Sequence, residues 1–153
     1  MRNIAITING KKIHTEAPIS QTLLDFLRSN GITSVKRGCE SGECGACAVL
    51  VDDEPRASCI TLTLQADGRE VKTIEALSTR KDLSELQKRF IEVGAIQCGY
   101  CIPALILLAD HYLNTAVSTS EKELREAISG VLCRCTGYVK PVEAAKMELS
   151  HIE

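Results

Sequence analysis

Apolar and polar positions change rhythm once along this chain. Over residues 3–8, NIAITI, isoleucine recurs at every second position, Ile4, Ile6 and Ile8, with smaller or polar residues between them. A period of two is the repeat of a strand with one buried face. Asn9-Gly10 follows, a pair suited to a tight hairpin whose central residues take positive φ, and KKIHTEA resumes as a second strand. TLLDFLRSNG then places Leu23, Leu24 and Leu27 at helical spacing, with Ser20 or Thr22 to cap its start and Gly31 to close its end. ACAVLVDD reads as a strand turning at Asp52-Asp53, and CITLTL and REVKTI as further strands. The expectation for this half is a small mixed sheet that grasps one helix.

After about Ile74 the alternation fades and helical spacing takes over. DLSELQKRFIEVG predicts a helix that turns Leu83, Leu86, Phe90 and Ile91 inward. IPALILLADHYL predicts a second, with Pro103 in the first turn, where no amide hydrogen is needed. Ser120 and Glu123 suit a capping box ahead of Leu124, Ala127 and Ile128, and PVEAAKMEL, opening on Pro141, predicts a short last helix. The fold class is therefore α+β, with a β-rich domain over 1–76 and an all-α domain over 77–153. No internal repeat or low-complexity segment interrupts either.

Composition narrows the function. The 153 residues carry a formal charge of −2, with no basic tail, so a nucleic-acid partner is not expected. MRNIAITING lacks a long apolar core and a small-residue cleavage site, and the longest apolar run, Ile102 to Ala109, is too short to cross a bilayer. Neither secretion nor membrane insertion is expected, and the cytoplasm is the expected compartment. Against two Phe, three Tyr and no Trp, eight cysteines stand out. In a reducing compartment that number reads better as metal ligands than as disulfides.

The cysteines divide at the same boundary, Cys39, Cys44, Cys47 and Cys59 before it and Cys98, Cys101, Cys133 and Cys135 after it. The first set has the spacing C-x4-C-x2-C with a fourth Cys after eleven residues, which is the plant-type [2Fe–2S] pattern. Zinc sites favour two near pairs instead. Gly38, Gly42 and Gly45 give the loop access to positive φ and let backbone amides approach the sulfurs of an anionic cluster. Cys59 is expected at the start of a strand, reaching in from a fixed platform. The second set, Cys98-Gly-Tyr-Cys101 and Cys133-Arg-Cys135, also fits a cluster, because a Cys-x-Cys pair is awkward on one zinc. A zinc site or a dithiol redox pair at Cys98 and Cys101 stays open on spacing alone. His14, His111 and His151 are scattered and read as ordinary polar residues, and Asp52-Asp53 as a turn rather than a catalytic dyad. Tyr100 and Tyr138 flank the candidate ligands and read as packing or shielding, and Arg134 could face anionic cofactor groups or a partner.

With GCESGECGACAVLVDDEPRASC, QCGYCIPALI and VLCRCTGY in this order, nearly the whole chain resembles the small iron–sulfur subunit of the molybdenum hydroxylases, the xanthine dehydrogenase and aldehyde oxidoreductase superfamily. The resemblance implies a plant-ferredoxin-like β-grasp domain followed by a four-helix domain, each with one [2Fe–2S] cluster. It implies a large partner subunit holding a molybdopterin cofactor, with Gln97 hydrogen-bonded to that cofactor and Cys135 beside its pterin. It also implies FAD on a medium subunit and a role in electron transfer, with substrate chemistry on the partner. Ile102 and Ala104 depart from the commonest CTPG form of the motif, at positions that are not ligands. A free-standing two-cluster ferredoxin, a zinc-stapled binding module and a thiol–disulfide redox protein are the competing readings.

Overall fold

The computed structural model describes residues 1–79, 81–116 and 120–149; His151 lies outside them. Strands β1 (Arg2–Ile8) and β2 (Lys11–Ala17) form the expected hairpin, and Asn9 and Gly10 both take positive φ, 49° and 77°. The sheet order is β2-β1-β5-β3-β4, with β3 at Ala48–Val51, β4 at Glu54–Ala57 and β5 at Glu70–Lys72. β1 runs parallel to β5 and every other pairing is antiparallel. Ile4, Ile6 and Ile8 point into a core shared with helix α1 (Leu23–Ser29), whose Leu23, Leu24, Phe26 and Leu27 are all buried. Thr22 is the cap, its hydroxyl accepting the Asp25 amide at 3.1 Å, and Gly31 takes φ 84° just beyond the last turn.

CITLTL is not a strand. It is a turn followed by a 3-10 helix over Thr63–Ala66, and Cys59 sits in that turn rather than at the head of a strand. The reason lies at the start of α1, whose first amides lack partners within the helix. The Leu23 amide donates to the Thr61 carbonyl at 2.7 Å and the Leu24 amide to the Ser58 carbonyl at 3.1 Å, so this segment serves α1 rather than a ladder. On its outer side β3 pairs instead with the polar EPRA of β4, an edge strand that tolerates Pro55. Asp52 and Asp53 make its tight turn with φ 50° and 63° and pair with Arg69 and Lys72, which is a turn and not an acid–base dyad.

Four helices follow, α2 (Glu85–Glu92), α3 (Ile102–Thr115), α4 (Glu121–Ile128) and α5 (Val139–Leu149). In α2 only Leu86 and Phe90 are buried. Leu83 and Ile91 are 41% and 56% exposed, because the helix starts after Leu83 and Ile91 falls off its narrow inner face. α3 is central, with Ile102 and Ala104 through Ala109 all buried, so the family departures at 102 and 104 are core positions. Ser120 caps α4, its hydroxyl accepting the Glu123 amide at 3.2 Å, and Ala127 is half-buried beside buried Leu124 and Ile128. α5 begins two residues before Pro141.

β3 joins the two cores. Val49 and Val51 face the sheet's helix, while Leu50 belongs to the helical core on the other face. Alternation along one strand thus feeds both halves. The halves also meet backbone to backbone. The Leu132 amide donates to the Cys44 carbonyl at 2.9 Å, and a Cβ on Gly45 would fall 2.0 Å from the Gly130 oxygen. Gly45 also has φ 67°, so Gly45→Ala meets both a clash and a disfavoured backbone. It should cost roughly 2–5 kcal/mol in denaturant unfolding. Gly10→Ala, strained but with nothing within 4 Å, should cost about 1 kcal/mol. Equal losses in the two variants would refute a tight junction at Gly45.

Candidate metal centres

The first cysteine loop leaves the segment after α1 and is tied down before it begins. Arg37 forms an ion pair with Asp25 of α1 and another with Glu40 at 2.8 Å. The Arg37 carbonyl accepts the Tyr100 hydroxyl from the second cysteine loop at 2.5 Å. Around Cys39 the backbone curls so that three amides point at one sulfur. The Ser41, Glu43 and Cys44 amides donate to Cys39 Sγ at 3.4, 3.3 and 3.3 Å, and the Cys39 amide donates to Cys44 Sγ at 3.4 Å. Such a curl needs left-handed residues, supplied by Glu40 at φ 58° and Gly42 at φ 83°.

The three glycines work differently from one another. Gly42 and Gly45 have the expected positive φ, but Gly38 does not. Gly38 is needed for space, since a Cβ there would lie 2.7 Å from Cys44 Sγ. Gly42 also packs under Ile60, whose Cδ1 would meet an added Cβ at 2.7 Å. Cys59 reaches the loop from its turn, where the Ser58 hydroxyl donates to the Cys47 carbonyl at 2.7 Å and fixes the two cysteine segments together.

The second set gathers at helix ends. Cys101 is the residue before α3, Cys98 stands three residues ahead of it, and Cys133 and Cys135 follow α4. Cys101 is buried, whereas Cys98 and Cys135, which lie against each other, are exposed, as are Gln97, Ile96 and Leu132. Thr136 places its hydroxyl 3.1 Å from Cys133 Sγ. Arg134 is exposed between the two cysteines.

The sulfurs meet two by two. Cys39 contacts Cys44, Cys47 contacts Cys59, Cys101 contacts Cys133 and Cys98 contacts Cys135. Among the described residues no three Cys, His, Asp or Glu side chains gather as they would around a single ion. Within each set the thiols neighbour one another across these pairs as well, Cys59 with Cys39, Cys101 with Cys98 and Cys135 with Cys133. His14 and His111 lie away from both sets, His14 exposed on β2 and His111 late in α3.

The thiols differ in acidity for local reasons. Hydrogen bonds from Ser41, first its side chain and then its amide, with the Cys44 amide, bring Cys39 down to about 5. Burial, then the neighbouring Cys47 thiol, pushes Cys59 up to about 11. Burial, then Cys133, pushes Cys101 up to about 12. Burial also pushes Cys133 upward, but the Thr136 hydroxyl and amide outweigh it and the net shift is downward. Cys135 is raised by the Cys98 thiol beside it. Each site thus holds thiols that resist sharing negative charge, and a cationic core would displace their protons.

Comparison with known proteins agrees with this geometry. Residues 6–78 match the family described as a 2Fe-2S iron-sulfur cluster binding domain, and residues 73–146 match a [2Fe-2S] binding domain. The chain is 42% identical to the caffeine dehydrogenase subunit gamma of Pseudomonas sp. (strain CBB1), over 94% of this chain and 88% of that protein. It is 41% identical to the xanthine dehydrogenase iron-sulfur-binding subunit of Escherichia coli O157:H7, over 88% and 86%. In the crystal structure of quinoline 2-oxidoreductase from Pseudomonas putida 86, one chain superposes with a TM-score of 0.89 at 41% identity. That match covers 94% of this chain and 90% of the other.

The acidities order the reactivity of the metal-free thiols. At pH 6–7 Cys39 is the thiolate, given its value of about 5, whereas Cys59 and Cys101 at about 11 and 12 stay protonated. Mass-spectrometric mapping of limited iodoacetamide labelling of the apoprotein should find Cys39 alkylated first and Cys101 last. Earlier labelling of Cys101 would contradict the loop geometry.

Proposed function

The chain belongs to the family of small iron–sulfur subunits of the molybdenum hydroxylases, the xanthine dehydrogenase and aldehyde oxidoreductase family, and we propose that it is the electron-transfer subunit of such an enzyme. The observation that carries this is the gathering of four cysteines at each of two places, joined through the Cys44–Leu132 hydrogen bond. Cys39, Cys44, Cys47 and Cys59 would hold one [2Fe–2S] cluster, and Cys98, Cys101, Cys133 and Cys135 the other. The contacts favour Cys39 with Cys44 and Cys47 with Cys59 on the two irons of the first. They favour Cys101 with Cys133 and Cys98 with Cys135 in the second. A bound [2Fe–2S] cluster takes up one electron at a time, so two in one chain suit the stepwise removal of a two-electron product.

The chain's own residues supply the setting. Amides of Ser41, Glu43 and Cys44 neutralise the thiolate of Cys39, and Gly38 and Gly42 keep side chains out of the space that those sulfurs need. Buried Cys47, Cys59 and Cys101 close the inner side of each site from water. Substrate chemistry belongs to other subunits. The exposed rim of Gln97, Cys98, Cys135, Ile96 and Leu132 is the surface we assign to a large molybdopterin-bearing subunit. Gln97 is free there to hydrogen-bond the cofactor, and Cys135 to stand beside its pterin. The exposed Cys39 loop with Ile60, 62% exposed, would face an FAD-bearing medium subunit. We place the domain division at 76/77, inside the 3-10 turn Ile74–Leu77, and the assembly in the cytoplasm, where thiols stay reduced. Among the described residues no helix is long and apolar enough to cross a membrane.

The test uses the purified complex. Iron and acid-labile sulfide should be equal, and dithionite should produce two distinct electron paramagnetic resonance signals. Cys44→Ser should remove one signal, leave substrate reduction of the molybdenum site intact and lower turnover with external acceptor roughly 10- to 100-fold. Cys101→Ser should remove the other signal and block electron exit. Untouched acceptor turnover in Cys44→Ser would sink the relay, and zinc without sulfide would sink both clusters.

A further inference from the structure

Tyr138 has a backbone that its side chain disfavours. It follows Gly137 at φ 57° and itself takes φ 63°, a left-handed conformation that costs a bulky residue energy. Strain of this kind persists where the surroundings hold it, and here they hold it from both ends. The Tyr138 amide donates to Thr136 Oγ1 at 3.1 Å, and the Tyr138 carbonyl accepts the Val142 amide at 3.3 Å at the start of α5. The ring is thereby turned back over the cysteine loop. Its hydroxyl donates to the Val131 carbonyl at 3.0 Å and accepts the amide of Cys133 at 2.9 Å.

That last bond matters because of where backbone amides go at the first site. There three of them point at Cys39 Sγ. Amide hydrogens aimed at cluster sulfur stabilise the more negative, reduced state and raise the reduction potential. At the second site the amide of a candidate ligand is occupied by a phenol oxygen, and that oxygen adds its own partial negative charge beside Cys133.

We propose that Tyr138 is a positioning residue that lowers the reduction potential of the second cluster by engaging the Cys133 amide. The inference rests on reading Cys98, Cys101, Cys133 and Cys135 as the ligands of that cluster. Removing the hydroxyl takes a partially negative oxygen away from Cys133 and releases the positive end of the Cys133 amide dipole, and both changes favour the reduced state. The Val131 carbonyl loses its donor at the same time and opposes them, so the net rise is small.

The experiment is a redox titration of the whole complex followed by electron paramagnetic resonance, with the second signal assigned by its loss in Cys101→Ser. In Tyr138→Phe the reduction equilibrium of the second cluster should shift about threefold toward the reduced form. At 59 mV per decade for one electron this is a rise of about 30 mV. The first cluster should not move and serves as the internal reference. Two intact signals with an unmoved second potential would overturn the proposal and leave Tyr138 a packing residue. If the phenylalanine variant fails to hold the cluster, 2,3-difluorotyrosine at 138 keeps the ring and oxygen but weakens the acceptor. Titrated at a pH where the phenol stays protonated, it should give a smaller rise, and no rise would overturn the proposal. A wild-type complex with no second [2Fe–2S] signal would overturn the ligand reading itself, which separates the two failures.

Discussion

The two cysteine sets meet most closely at a contact of bare backbone, Gly45 against Gly130. No side chain fits at Gly45, and beside it the Cys44 carbonyl takes the amide of Leu132, two residues beyond Gly130. Those two facts fix the distance between the loops by a few covalent bonds and one hydrogen bond. β3 reinforces them from within, because Val49 and Val51 are locked in one core and Leu50 in the other. A rotation of one half against the other would have to unpack a strand from both sides at once. Sites whose separation governs how electrons pass are thus mounted on rigid elements rather than on a linker.

Much of this was legible in the chain. The isoleucine alternation and Asn9-Gly10 placed the first hairpin, and the cysteine spacings and glycines marked both loops. Legibility failed where a segment's backbone serves a neighbour. CITLTL has the composition of a strand, yet its Thr61 carbonyl, with that of Ser58 just before it, is spent on the first amides of α1. EPRA lacks apolar alternation because an edge strand can be polar, so β4 left no periodic trace. Leu83 and Ile91 carry apolar side chains outside the narrow buried stripe of α2, which only the packing of Leu86 and Phe90 defines. Gly38 could be marked as special, but not the reason, since the clash it avoids is with a sulfur six positions away. The hydroxyl bonds of Tyr100 and Tyr138 are tertiary or strain-supported contacts, and no local pattern announces them.

The two cysteine sets share a side-chain type and differ in how the backbone treats it. The first offers its amides inward to an exposed Cys39. The second buries only Cys101, leaves Cys98 and Cys135 exposed, and is supported by side-chain hydroxyls from Thr136 and Tyr138. Identical side chains are thus given unlike electrostatic surroundings by backbone amides at one set and hydroxyls at the other.

No cysteine of the first set needs a residue later than Cys59, and none of the second precedes Cys98. During synthesis, then, the earlier loop has all its sulfurs outside the ribosome before the later one has any. The strand that completes the sheet, β5, emerges soon after, whereas the second set must wait for Cys135 and for α5 behind it. The earlier loop therefore has its sulfurs before it has its neighbours, since the bonds from Tyr100 to Arg37 and from Leu132 to Cys44 form only when the later half arrives.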